Sequence, residues 1–488
     1  MIADLKPYPE YKESELPWLG RVPVHWETRR LRHACDMRVS NVDKQTKPNE
    51  IPVRLCNYVD VYKNERIRES IRFMAATASE DERVRFGLRK DDVLITKDSE
   101  AWNDIGVPAL VEFEASDLVC GYHLAILRSR PSLRGAFLHR VLESHFIAAQ
   151  FHVEANGVTR YGLSQGAIQG IAIPLPPTDE QAAIVRFLDW ANGRLERAIR
   201  AKRKVIALLH EQKQAIIHRA VTRGLDPSVP LKPSSIPWLG DIPQHWEVRK
   251  LKKIKSRAKN SFVDGPFGSS LKSIHYVPNG YAYVVESGFI TSGDFRLKEF
   301  KTITREHFNT IQRSCCSEGD IIIAKIGAGF GMAGILPNLS RPAVVSGNSL
   351  KLTVDDAIAS NGFVHLTLLT ARAGGALDLI VNATAQPALS LGTMNDLSLP
   401  VPPRHEQDEI LQHVGDATKE LVAAISRLER EIDLLREYRT CLVADVVTGK
   451  LDVREAAARL PDEAPLDKAE DAAEMGDEGE GADEEATP

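Results

Sequence analysis

Residues 14–33 read SELPWLGRVPVHWETRRLRH, and residues 234–253 read SSIPWLGDIPQHWEVRKLKK. Eleven of the twenty positions are identical, among them Pro17/Pro237, Trp18/Trp238, Gly20/Gly240, Pro23/Pro243, His25/His245 and Trp26/Trp246. Agreement of that density marks an internal duplication, which governs how every other feature is interpreted. Later in each half comes a second matching pair: IPLPPTDEQAAI from Ile173 and LPVPPRHEQDEI from Leu399. The partners there lie 226 residues apart, as do Asn156/Asn382, Leu163/Leu389, Ser164/Ser390, Glu180/Glu406, Gln181/Gln407 and Val221/Val447. The repeat unit is therefore half of the protein, not a short solenoid module.

Both halves share one internal order: a lead-in segment, a divergent body, a Pro-Pro stop and a long charged helix. The bodies agree only in outline. DVLITK ending at Lys97 lines up with DIIIAK ending at Lys325, and Val119–Gly121 lines up with Val345–Gly347. Both pairs read as short buried strands running into turns. A duplicated frame carrying divergent inserts suggests one mechanical job and two different surfaces to read.

The Pro-Pro stops at Pro176-Pro177 and Pro402-Pro403 are helix start signals, with acids following at the positive end. Apolar positions then step by four and three. In the first helix they include Ile184, Leu188, Leu195, Val205 and Leu209; in the second, Ile410, Val414, Leu421, Leu428 and Leu435. That spacing predicts a coiled-coil seam over about five heptads, interrupted by Lys202, Gln212 and Glu431. Each helix would run roughly 60 Å at ~1.5 Å per residue. Antiparallel packing of the two would make a rod with a reader at each end.

Composition sets wider limits. The chain has 488 residues, 43% hydrophobic and 26% charged, ordinary for soluble globular chains of about three domains. The charged N-terminal residues lack the apolar core of a signal peptide. The longest apolar stretch, 321–336, is broken by Lys325 and several glycines and is too short to span a bilayer. The chain is expected to be cytoplasmic, with no membrane partner and with six reduced cysteines. Residues 461–488 carry twelve acids and one lysine, a net charge of −11, which leaves +6 on the other 460 residues. This tail is too polar to order itself. It reads as a solubilising end or as a competitor for a basic surface on the same chain, and the mildly basic remainder permits nucleic-acid binding.

Few motifs suggest catalysis. Gly329–Gly334 matches GxGxxG, but Pro337 and Pro342 follow where a dinucleotide site needs a helix. A glycine-rich hairpin is expected instead. The DGPF stretch from Asp264 reads as a turn. There is no Walker lysine, no HExxH, no GxSxG and no metal-ligand spacing. His25 and His245 are expected to pack beside Trp26 and Trp246.

Taken together, PWLG..P.HWE at 17–27 and 237–247, FVDGPFGSSLKS at 262–273, GDIIIAKIG at 319–327, and LS…IPLPP…EQ and LS…LPVPP…EQ at 163–181 and 389–407 resemble the specificity subunit of type I restriction-modification systems. The resemblance covers residues 14–452 and leaves the acidic tail outside. It implies an α/β (α+β) fold with two target-recognition domains joined by two long antiparallel coiled-coil helices and related by a pseudo-twofold duplication. The expected division is 1–175, first recognition domain with its lead-in; 176–224, first long helix; 225–401, second recognition domain; 402–453, second long helix; and 454–488, disordered acidic tail.

The resemblance also implies a non-catalytic DNA-binding chain. It would read an asymmetric bipartite site and dock two methyltransferase subunits and restriction (motor/nuclease) subunits in an endonuclease complex. S-adenosylmethionine, ATP and magnesium would belong to those partners, and no cofactor to this chain. A different class remains open: a free-standing coiled-coil DNA-binding adaptor or regulator. Candidate DNA contacts come from loops beside the repeated anchors: Lys97, Arg160, Tyr161 and Ser164 in the first body, and Lys272, Lys325, Gln386 and Ser390 in the second. Gln386 suits adenine, and Arg160 suits guanine or phosphate. Asn57 and residues 58–66 are further candidates.

Overall fold

The computed structural model describes residues 5–266, 268–291, 299–327, 329–381 and 388–461. Asn382, Gln386 and the acidic run from residue 462 lie outside the described residues. The chain forms two compact units. One takes the chain up to Ala201 and again from Glu431, and the other is Lys202–Arg430.

Two helices, Thr178–Arg223 and Arg404–Val447, are far longer than any other and give one part of themselves to each unit. Each begins just after its Pro-Pro pair, with Asp179 and Glu180, or Glu406, at the positive end. Each stops within two residues of a glycine in the left-handed region, Gly224 (φ +70°) and Gly449 (φ +78°). A side chain would also be crowded there, severely at Gly449 and less so at Gly224. A Cβ on Gly449 would stand 2.4 Å from the Pro23 ring, and one on Gly224 would stand 3.3 Å from Trp246.

In the first unit, Ile184, Phe187, Leu188 and Ala191 of the first helix share a core with Leu442, Val443, Val446 and Val447 of the second. In the second unit, Ile217, Ala220 and Val221 of the first helix share a core with Ile410 and Val414 of the second. The start of one helix thus meets the end of the other in both units, which is antiparallel pairing.

The buried line along these helices corrects the expected seam. Ile184, Leu188, Leu195, Ile410 and Val414 are buried, and Leu209, Leu421, Leu428 and Leu435 are half-buried. Val205, however, is 45% exposed, and Ile206 takes the inward position. On the second helix Thr418, Ile425 and Ile432 are buried, where strict alternation points to 417, 424 and 431. The cause is pitch: an α-helix at 3.6 residues per turn drifts from a 3.5 repeat. Here the line takes two steps of four in a row, 191–195–199 and 410–414–418, and stays shifted by one at alternate positions.

Each lead-in makes a small hairpin, Tyr11–Glu13 with Arg21–Pro23 and Leu231–Pro233 with Asp241–Pro243. The strand entering each body then pairs antiparallel with the strand leaving it. These pairs are Glu27–Arg30 with Ala172–Leu175, and Glu247–Lys250 with Ser398–Val401.

The bodies are mixed α/β. In the first, a five-stranded sheet runs Cys35–Val39, Leu124–Ser129, Val93–Thr96, Pro108–Val111, Arg66–Ile67. A three-stranded sheet runs Leu118–Cys120, Ile51–Cys56, Met74–Ala78. The second body repeats four strands of the larger sheet as Phe262–Asp264, Ser349–Leu352, Ile321–Ala324 and Ala333–Ile335. It repeats the smaller sheet as Ala343–Val345, Ala282–Val285 and Lys301–Ile303, and adds Cys315–Cys316 at its edge. The strands Ile321–Ala324 and Ala333–Ile335 pair antiparallel, with the glycines from 329 to 331 in the turn between them. All six cysteines are free thiols. Among the described residues, no helix is long and apolar enough to cross a membrane.

The chain beyond Val453 differs from expectation. Residues 454–461 are not part of a disordered tail: Arg454–Ala458 is a short helix, and Ala456, Ala457 and Leu460 are buried. Ala456 and Ala457 close over the core of the first unit, whereas the acids that dominate the composition begin only at Asp462.

Candidate nucleic-acid interface

Each body is held to its helix by the motifs that are duplicated in the sequence. Trp26 Nε1 donates to Glu180 Oε1 at 2.9 Å, and His25 Nε2 lies 2.8 Å from Glu180 Oε2. The second half repeats this with Trp246 and His245 on Glu406, at 3.0 and 2.8 Å. The neighbouring glutamine is a hook. Gln181 accepts from the Arg134 N–H at 2.8 Å and donates to the carbonyls of Ser132 and Pro176. Gln407 does the same with Ser360, Ile358 and Pro402. The histidines therefore grip a glutamate, which goes beyond packing beside tryptophan.

With the frame fixed, equivalent strand ends present different side chains. In the first body Val93–Thr96 ends at Lys97, whose N–H donates to the His123 carbonyl and whose own carbonyl accepts from Leu163. Lys97 Nζ donates to Asp98 Oδ2 at 2.8 Å, and His123 Nδ1 reaches the same oxygen at 2.9 Å. Burial alone would raise the Asp98 carboxyl, but the hydrogen bonds from Lys97 and His123 outweigh it and hold the group below the usual carboxylate range. Burial, with Arg160 nearby, lowers His123, which favours the neutral ring; with Nδ1 held by Asp98, its Nε2 is the nitrogen left to accept a hydrogen bond. The Arg160 guanidinium lies 3.3 Å from that ring. Tyr161 pairs with Ser99 across a short ladder.

Aromatic rings border these charges. Tyr58 and Tyr62 stack at 5.6 Å on one short helix, and Tyr122 lies 3.6 Å from His123. Tyr62 donates to Asp104 at 2.6 Å; that bond, with a smaller part from burial, pushes its hydroxyl up to about 12. Tyr62, Trp102 and Tyr122 are all exposed. The cluster combines cations, neutral donors and acceptors, and exposed rings, the chemistry that meets phosphates and base edges.

In the second body Lys325 holds the equivalent place: its N–H donates to the Asn348 carbonyl, and its carbonyl accepts from Leu389. The charges around it differ. Lys325 Nζ lies 3.9 Å from Asp264, which also takes Arg313 at 2.9 Å. Lys272 belongs to another exposed patch. Its N–H donates to His275 Nδ1, and the His275 ring stacks on His307 at 4.0 Å. Arg305 lies over Tyr281 nearby on the same sheet edge.

The structure thus brings Lys97, Arg160 and Tyr161 together, whereas Lys272 and Lys325 have different partners. Ser164 and Ser390 are helix caps, accepting from Ala167 and Thr393 respectively. Asn57 caps the helix that carries Tyr58 and Tyr62. Arg66 points elsewhere, to Glu112 and Asp189. Gln386 lies outside the described residues. Sequence reasoning missed Asp98, Tyr122, His123, Asp264 and Arg313. Tyr122 and His123 directly follow the repeated Val119–Gly121 anchor, which was a usable signal; Arg313 had none.

A duplicated α/β frame with two paired long helices, carrying two bodies whose equivalent strand ends have unlike surroundings, defines the class of fold to which this chain belongs. The chain belongs to the family of the type I restriction modification DNA specificity domain, whose model matches it twice, over residues 23–202 and 243–432. It is similar to the MjaX type I restriction enzyme specificity subunit of Methanocaldococcus jannaschii: 21% identical over 466 residues, which cover 93% of this chain and 100% of that one. It is also similar to the MjaVIII specificity subunit of the same organism, at 23% identity over 59% of this chain and 63% of that one. A solved structure from work on complex assembly and conformational transition of the type I R-M system matches the fold with a TM-score of 0.60. Its identity is 15%, and the match covers 88% of this chain and 99% of that one.

Proposed function

We propose that this chain is the DNA sequence-specificity subunit of a type I restriction-modification complex, reading an asymmetric bipartite DNA site. Each body reads one half-site, and the two long helices act as spacer and as the platform on which two methyltransferase subunits and the restriction subunits dock. The observation that carries this reading is the pair of equivalent strand ends, Lys97 and Lys325, with backbone hydrogen bonds to equivalent positions and unlike side-chain surroundings. A shared frame gives a common docking geometry, and unlike surroundings give unlike half-sites.

The chain itself supplies recognition and no catalysis. S-adenosylmethionine, ATP and magnesium belong to the partners, and the methyltransferase flips the adenine that this chain selects. In the first body Lys97 and Arg160 meet phosphate or guanine, and His123 and the tyrosines meet base edges and ring faces. Binding should fall steeply with salt.

The test is genome-wide mapping of methylated adenine in strains with and without this gene, with residues 30–170 replaced by another recognition body in a third strain. The expected result is one bipartite motif, of which only one half changes in the chimaera. No motif, and no methyltransferase co-purifying with the chain, would instead favour a free-standing DNA-binding adaptor. Inserting one heptad into both long helices should lengthen the gap between half-sites; an unchanged gap would rule out the spacer role.

A further inference from the structure

Within the first unit, a cleft of about 660 Å³ lies between the first body and the start of the first long helix. Six cations line it: Arg89, Lys90, Arg128, Arg130, Arg134 and Arg186. Three acids line it as well, Asp91, Asp92 and Asp189, but two of them are already engaged. Asp92 takes Arg128 at 2.6 Å, and Asp189 takes Arg66 and Arg140. Arg130 pairs with Asp36 in the open. Arg89 and Lys90 stand exposed.

The duplication supplies an internal control. Shared backbone hydrogen bonds fix the equivalent positions. Asp91 and Gly319 both donate to the strand alongside, Arg130 and Asp355 both donate into the chain after the lead-in, and Arg134 and Ser360 both donate to the hook glutamine. At the six equivalent places the second half has Ser317, Glu318, Thr353, Asp355, Ser360 and Gln412. No cation survives. A surface for DNA phosphates or for a partner common to both halves would be expected twice; this one is built once.

What else occurs once, and at this place, is the acidic tail. Arg186, on the cleft wall, donates to the carbonyls of Leu460 and Pro461 at 2.9 and 3.4 Å. The next residues are Asp462 and Glu463, the first of the tail's twelve acids. They follow within ~4 and ~8 Å of chain beyond Pro461. A segment tethered at the rim of a cleft has an effective concentration near the millimolar range, enough to make weak ion pairs populate.

We propose that this cleft is the docking site of the chain's own C-terminal segment, residues 462–488, held by the Arg89, Lys90, Arg134 and Arg186 charges. The site is separate from the Lys97–Arg160 cluster, and the proposal does not depend on what the chain reads.

The test uses the full-length protein and a water-soluble carbodiimide, which joins a carboxylate to a lysine amine only where the two touch. Among the described residues, Lys90 is the only lysine lining the cleft. The expected product is an intramolecular amide between Lys90 and a carboxylate of 462–488, found by mass spectrometry in the monomer band and independent of protein dilution. Its yield should fall about tenfold in 0.5 M salt, where the screening length is only a few ångströms. It should fall comparably when Arg89 and Arg134 are exchanged for their counterparts in the other half (Arg89→Ser, Arg134→Ser), both exposed positions where unfolding is not expected. Tail carboxylates coupled to lysines elsewhere on the body, no coupling at all, or a Lys90 product whose yield ignores both salt and the exchanges would each overturn the proposal.

Discussion

The two halves hang on the same hooks but are braced differently. In the first unit, Arg140 is almost wholly buried and is bonded to Glu143 and Asp189. Asp189 on the first long helix also takes Arg66, and Arg66 takes Glu112. Arg439 on the second long helix completes the net through Glu65 and Glu196. In the second unit the places of Arg140, Glu143, Asp189 and Glu196 are held by Leu366, Leu369, Gly415 and Val422. There Phe363, Leu366, Ile410 and Val414 close against Trp246, and Gly362 lies tightly against Leu411, whose side-chain tip would stand 3.0 Å from an added Cβ. One brace is ionic and the other apolar. The Trp–His–Glu grip and the glutamine hook set the geometry, so the flank beside them was free to take either chemistry.

The largest expected effect separates the two braces. Arg140→Ala leaves Asp189 and Glu143 facing each other in a half-buried site, and breaking a buried ionic set in this way costs about 3–5 kcal/mol. Replacing the set together with apolar residues like those of the other half (Arg140→Leu, Glu143→Leu, Asp189→Ala) should return stability to within about 2 kcal/mol of the parent, because no charge is then left without its partner. Denaturant unfolding, with hydrogen exchange of residues 135–143 to localise the change, checks both. A triple exchange as damaging as Arg140→Ala would mean that the ionic brace does more than satisfy its own charges.

A second contrast lies one residue away. His139 and His365 are equivalent and both inward, yet both ring nitrogens of His139 are buried without a hydrogen-bond partner, while His365 Nε2 meets the Ala333 carbonyl at 3.0 Å. Burial, reinforced by Arg140 and Arg66, pushes His139 down to about 3 from an ordinary value of 6.5. The sign follows from that. Below pH 6.5 the unfolded chain takes up a proton that the folded chain refuses, so stability falls by about 1.4 kcal/mol for each pH unit down toward the folded value. His139→Leu should remove this loss, raising Tm at pH 5.5 by more than at pH 8. His365→Leu should lower Tm at pH 8, because it strands the Ala333 carbonyl at a cost of about 1 kcal/mol. Equal responses of the two variants would erase the distinction between the sites.

How much of this was legible in the sequence depended on whether a feature was duplicated. The long helices, the lead-ins, and the matching of Lys97 with Lys325 all showed in the repeats. The grip of Trp26 and His25 on Glu180 spans more than 150 residues and had no visible pairing, although HWE and EQ recur together in both halves. The drift of the buried line to Ile199, Ile425 and Ile432 was hidden because a strict heptad assumes a supercoil that the helices follow only in part. The ionic brace was illegible for the opposite reason. Arg140 and Asp189 occur in one half only, and a lone arginine on a helix looks like any solvated one. The candidate contact faces are the least predictable, because neighbours such as His123 and Arg313 are brought in by loops that the two bodies do not share.

The smallest effect tests whether the two halves can exchange local solutions. The helix Gly135–Glu143 has Arg134 at its N-cap with no side-chain hydrogen bond, whereas in the other half Ser360 caps Asn361–Ala373 by accepting from the Phe363 N–H at 3.1 Å. Serine satisfies one of the open N–H groups at a helix start; arginine cannot, and it adds a like charge to the positive end. Set against this, Arg134 Nε donates to the Thr178 carbonyl at 3.0 Å in an exposed setting, and that bond would be lost. A cap contributes about 1 kcal/mol, and an exposed hydrogen bond contributes less. Arg134→Ser should therefore raise the stability of the first unit by a few tenths of a kcal/mol to about 1 kcal/mol, read as slower exchange of the amides at 136–138. A loss of stability would mean that the Arg134 link to the first long helix outweighs the cap, and that this arginine braces the body as well as lining the cleft.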